Sequence, residues 1–166
     1  MSVVSLPILL FAILLVSRLL ALVAGPINIW NTTWHLPPLT EIAGDYGFKE
    51  AKLLGGESIE SIVPKHSSIT LSVNHRAAVV DLPSFGSFGE PSPCTYSGSG
   101  KWSSTESAGV QLLINITEPV PSPTGKPSCG AGDLGLFELL GHSHAYRIWY
   151  NVGDPDESRG LAYIQR

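Results

Sequence analysis

Three carboxylates, Asp154, Asp156 and Glu157, fall within four residues of one another in the stretch GDPDES near the C-terminus. Alternating acids of this kind can ligate Ca²⁺. An EF-hand, however, needs further acids at fixed positions and a following helix, and the sequence has neither here. Asp-Pro-Asp is also what a reverse turn selects, because Pro presets φ at its second position and Asp accepts backbone N–H bonds. The turn is the reading adopted, with a weak cation contact as its alternative. His142 and His144, in GHSHAY, stand two apart on one face of a strand or turn, a spacing that permits shared metal coordination. No third Cys, His or acid adjoins them, so an exposed turn is expected and no metal or cofactor. The Ser- and Gly-rich run YSGSG (96–100) is not a G-x-S-x-G nucleophile elbow, which requires a strand-to-helix turn in an alternating α/β chain. No nucleophile with a base and no pair of acids emerges from spacing. An enzyme is therefore not expected, and a hydrolase is kept only as the last alternative.

Composition narrows the remaining classes. The chain has 166 residues, the size of one domain, and ten Lys/Arg against 14 Asp/Glu give a net charge of −4. No basic run is present, which argues against nucleic acid, whose phosphates require one. Residues 1–25 carry a single charge, Arg18, and are otherwise almost wholly apolar. Such a segment is either an export signal, with its apolar run at 6–16 and cleavage near Ala24, or an uncleaved anchor of about 20 apolar residues. Export is the preferred reading: residues 1–24 form the signal peptide or membrane anchor and 25–166 the folded domain. The membrane is then touched only through the N-terminal segment. Cys94 and Cys129 fit an exported chain with one disulfide, worth about 3–4 kcal/mol on the chain-entropy model, and two unpaired thiols in a reducing compartment are the alternative. Two N-x-Thr sequons begin at Asn31 and Asn115, the latter in mid-strand and so a poor acceptor.

The elements that must position these residues are strands. With 17 Gly, 13 Pro and only 14% charged residues, the chain suits a turn-rich all-β domain. Ile69, Leu71 and Val73 alternate with polar residues, and Val110, Leu112, Ile114 and Ile116 do the same, the period-2 pattern of half-buried strands. The spacing predicts strands over 27–35, 69–74, 77–82, 96–104, 109–117, 134–140, 145–152 and 161–166. One helical turn fits before Pro64. Eight sequential strands with local connections predict an up-and-down antiparallel barrel, with a two-sheet sandwich as the alternative. In the barrel every long connection (36–68, 83–93, 118–133, 153–160) falls at one rim and every tight turn at the other. Cys94 and Cys129 then share the long-loop rim. That rim would also be the mouth of any ligand cavity, made acidic by Glu90, Asp133, Asp154, Asp156 and Glu157, which favours a neutral or cationic ligand.

Three stretches resemble exported bacterial lipocalin-like proteins: GSGKWSS (98–104), VVDLP (79–83) and YRIWYNVGDPDESRGLAYIQR (146–166). In that family the first strand opens Gly-x-Trp, where this chain has TTW (32–34), and the insert 36–68 matches nothing in it. The resemblance implies a calycin-type barrel closed by a last-strand Arg packed on a first-strand Trp, the positions of Arg166 and Trp34. It implies an address outside the cell and no reaction. Whether Trp30, Trp34, Trp102, Trp149, Tyr146 and Tyr150 fill the barrel or line a cavity stays open. The expected function is binding of a small apolar ligand in the barrel. The alternative is a protein-interaction or inhibitory module that acts through the long loops. The sequence sets no oligomeric state.

Overall fold

Alternation of apolar with polar residues builds the wall of this molecule. A computed structural model describes residues 32–52, 62–86, 88–142, 145–153 and 160–166. They form one short helix, α1 (Leu39–Ile42), and eight strands: β1 (Gly44–Lys52), β2 (Ser68–Leu71), β3 (Arg76–Phe85), β4 (Pro91–Ser107), β5 (Gly109–Pro119), β6 (Gly132–Leu140), β7 (Arg147–Asn151) and β8 (Gly160–Gln165). Each strand pairs antiparallel with the next, and β1 pairs with β8, so the sheet closes as an up-and-down barrel. The sandwich is excluded. Closure removes the unpaired edges that a flat sheet of eight strands would expose. The expected inward series on β5, from Val110 to Ile116, is buried as its period requires. Gly100 sits so close to the β5 carbonyl of Asn115 that any Cβ would collide with it, which accounts for the glycine spelling of GSGKW.

The first strand is a correction. Barrel strand β1 is GDYGFKEAK, inside the stretch read as an insert, and not 27–35. Residues 1–31 lie outside the described residues, and of the expected strand Thr32 makes only an isolated bridge to Leu140. The physical reason is in the sequence: Pro37 and Pro38 follow at once and have no N–H to donate to a ladder. Tyr46 takes the buried place expected of Trp34, which is 54% exposed. Arg166 does lie at the closing seam: its N–H donates to the Asp45 carbonyl at 2.9 Å, and its guanidinium lies across Gly47, not on Trp34.

The asymmetry of the rims survives this shift, because moving the first strand leaves the parity of every later connection unchanged. The β1–β2, β3–β4, β5–β6 and β7–β8 connections share one rim. The β2–β3, β4–β5 and β6–β7 turns share the other. The expected loop 83–93 shortens to residues 86–90, because β3 and β4 both run on towards it, and Cys94 therefore belongs to strand β4. It is bonded to Cys129 on the β5–β6 connection with 5.1 Å between Cα atoms. Backbone bonds from Thr95 N–H to the Pro127 carbonyl (2.9 Å) and from Cys129 N–H to the Thr95 carbonyl (3.0 Å) lay that connection along β4.

Both ends of the barrel are stoppered. Thr33 enters between β5 and β6: the Val110 N–H donates to its carbonyl at 2.8 Å, and its own N–H donates to the Leu139 carbonyl at 3.4 Å. From that seam the chain crosses the tight-turn end to reach β1, which lies on the far side in the strand order, and α1 sets the fully buried Ile42 into the core. Tyr46 Oη (2.6 Å) and the Gln165 amide (3.3 Å) donate to α1 carbonyls and hold the stopper. At the long-loop end Val63 is buried against the core, and Ser67 Oγ meets Tyr163 Oη at 2.9 Å. Between the stoppers, Tyr46, Ile69, Leu82, Leu112, Ile114, Phe137, Leu139, Ile148, Leu161 and Tyr163 are each 0% exposed, so no water-sized space adjoins them. Side chains fill the middle of the barrel.

Candidate functional site

Among the described residues, a buried carboxylate dominates the polar chemistry of the long-loop end. Asp81 interrupts the β3–β4 ladder at a register shift between Val79 and Leu82 and adopts φ 47°, a left-handed conformation that Asp tolerates better than most residues. It has no exposed surface. His66 Nε2 donates to Oδ2 at 2.6 Å, and the hydroxyls of Ser97 (3.3 Å) and Ser122 donate to Oδ1. The Asp81 N–H returns a bond to Ser97 Oγ at 2.8 Å, and the Thr124 hydroxyl stands 2.7 Å from Ser122 Oγ. Burial alone would raise the Asp81 pKa, but the donors on Ser122, His66 and Thr124 outweigh it and hold the carboxyl below its ordinary value.

The order of these groups decides their chemistry. In a nucleophile–His–Asp triad the imidazole stands between hydroxyl and carboxylate. Here the carboxylate stands in the centre and takes every donor, and among the described residues no hydroxyl or thiol is bonded to a His ring. The cluster ties the β1–β2 connection (His66), β3, β4 (Ser97) and the β5–β6 connection (Ser122, Thr124) to one charge. It is a clamp on the rim and has no activated nucleophile.

Among the described residues, space for a ligand lies in the wall. The β6–β7 ladder ends at Phe137–Tyr150, and beyond it β6 bends at Gly135, φ 89°. A groove of about 560 Å³ opens there, within the range of small-molecule sites. Phe85, Leu134 and Tyr150 supply apolar surface, and Gln111, Glu138 and Asn151 line its polar side. The Phe85 and Tyr150 rings are 6.1 Å apart, and Tyr150 meets Phe137 at 4.8 Å, which fixes the aromatic floor. On the outer face Trp149 Nε1 donates to Asn151 Oδ1, and Asn151 Nδ2 donates to Glu138 Oε1, both at 2.8 Å. That relay holds Glu138 at the lip. Burial pushes the Tyr150 phenol up to about 12, so it stays a neutral donor at any ordinary pH.

Of the acids expected at a mouth, only Asp133 and Glu90 fall among the described residues. Asp154, Asp156 and Glu157 lie outside the described residues, as does His144. Asp133 stands on the outer wall opposite Asn115, whose amide donates to it at 2.5 Å, and does not line the groove. That bond also engages the amide of the second sequon. Glu90 caps its own turn, accepting from the Phe88 N–H at 3.2 Å. Sequence reasoning missed Asp81, Phe85 and Glu138. Asp81 carried a faint signal, an acid at an inward position of the VVDLP strand, whereas Phe85 and Glu138 meet only through the bend at Gly135. Among the described residues no cluster of three His, Cys, Asp or Glu could hold a metal ion. Nor is any described helix long and apolar enough to cross a membrane. Compared with known proteins, the chain matches no family model, no curated protein and no solved structure.

Proposed function

We propose that this is an exported, lipocalin-like binding protein that takes a small, largely apolar, neutral or cationic ligand into the groove beside β6. The groove itself carries the reading: an aromatic floor of Phe85 and Tyr150 with one carboxylate, Glu138, at the lip. An apolar body and a few fixed polar groups are what small-ligand sites share, and a carboxylate with no cationic side chain paired to it among the described residues selects against anions. The site differs from the one expected of a hollow barrel, because the middle is filled by its own side chains. Export is supported by the apolar segment 1–25 and by a disulfide, which persists in oxidising compartments. The test is uptake of the neutral fluorophore prodan by the purified protein, alongside Gln111→Trp, which narrows the groove, and Glu138→Gln. Binding lost in the Trp variant supports the site; equal binding in all three, or none, rejects it.

A second reading has its own observation. Phe88, on the β3–β4 connection, is 87% exposed on a rim fixed by the disulfide and the Asp81 clamp. An exposed aromatic side chain is an anchor for a protein partner. Phe88→Ser should abolish capture of such a partner and leave prodan uptake unchanged.

A further inference from the structure

We propose that the tight-turn rim is a lipid-facing surface, seated in the headgroup layer of a bilayer in which residues 1–25 stay as the uncleaved anchor, the alternative to cleavage near Ala24. Isolated exposed apolar side chains are common and need no explanation. Here three share one rim: Trp34 and Leu36 on the segment that crosses it, and Val73 in the β2–β3 turn, at 54%, 40% and 53% exposure. Trp is the residue enriched at membrane–water boundaries, where its ring sits among headgroups. The segment is held outward by structure: Thr33 Oγ1 donates to the Gly141 carbonyl at 2.8 Å, and the Leu36 N–H donates to Glu106 Oε1 at 2.5 Å.

Where the chain enters the barrel favours lipid over a protein partner. The first described residue, Thr32, lies on this rim, bridged to Leu140, and stands only seven positions after Gly25 at the end of the apolar run. Fully extended, those seven steps reach at most about 25 Å. Charge does not oppose the contact. Arg76 begins β3 at this rim, where a long cationic stem can extend towards headgroups, whereas Arg147 reaches Glu50 on the wall at 4.0 Å and Arg166 lies across Gly47. Its acids are engaged by the protein, Glu41 by Tyr146 Oη (3.1 Å), Asp45 by Thr70 Oγ1 (2.7 Å) and Glu106 by Leu36. The surface would hold the protein upright, with the long loops directed away from the bilayer.

The test uses the full chain reconstituted into phosphatidylcholine vesicles, with the photoreactive residue p-benzoylphenylalanine placed singly at Trp34, Val73, Phe88 or Val120. All four side chains are exposed, so the fold should tolerate the exchange, and retention of the Cys94–Cys129 bond verifies it. Lipid adducts at positions 34 and 73, with only background at 88 and 120, are expected. Equal labelling of both rims overturns the proposal. So does labelling of 88 and 120 alone, or the absence of adducts. Protein isolated in solution with its N-terminus near residue 25, and no adducts on addition of vesicles, overturns it as well.

Discussion

Asp81 combines two features that are each unfavourable alone, a fully buried charge and a positive φ in a residue other than glycine. Both are tolerated because the donors converge on it from three directions, and the left-handed turn is what aims the carboxylate at them. Asp81→Asn keeps the shape and the conformational tolerance and removes the charge. It should destabilise the fold by about 3 kcal/mol in denaturant titration. The sign of the pH effect follows from the lowered pKa. A carboxylate depressed in the folded state stabilises it fully above the ordinary carboxylate value near pH 4, and the contribution is lost as pH falls through the depressed value. The asparagine variant should lack that acid-limb loss. Phenols give the opposite sign. Burial raises Tyr46, Tyr163 and Tyr150, the last to about 12. Their contribution is complete below the ordinary value near pH 10 and declines above it. Phenolate absorbance from these three should therefore emerge together with unfolding in an alkaline titration.

At the scale of the element, the long β5–β6 connection behaves as an added strand. It is held to β4 by the disulfide, by the backbone bonds around Thr95 and by Ser122 on Asp81. The bond spans 35 residues, for which chain entropy gives about 4 kcal/mol. Cys94→Ser with Cys129→Ser should lower the unfolding free energy by about that amount. Hydrogen exchange at Thr95 and Cys129 should then rise before that at Leu112 and Ile114, since the wall does not depend on the bridge. Helix α1 is too short to be stable by itself, and packing holds it. Ile42→Ala leaves a void beneath Tyr46 and should cost about 3 kcal/mol in denaturant midpoint experiments.

At the scale of the whole molecule, the described barrel is filled along its middle and stoppered at both ends, with a groove in its wall. The strand count, the antiparallel meander, the two kinds of rim and the cysteine pair were legible in the sequence. Each follows from local quantities: period-2 burial, turn residues and connection length. The first strand was misplaced for an equally local reason. Apolar and aromatic residues at 27–35 read more strongly as a strand than GDYGFKEAK, whose two glycines and charged residues conceal the inward Tyr46 and Phe48.

The sequence by itself determined the class of fold, because each strand's alternation decides its buried face independently of all the others. Only the tertiary structure decided that α1 and Val63 close the ends, that Asp81 gathers donors from three distant segments, and that Phe85 and Glu138 come to line one groove. These are contacts between residues up to 124 positions apart, brought together by barrel closure and by the bend at Gly135, and no spacing along the chain encodes them.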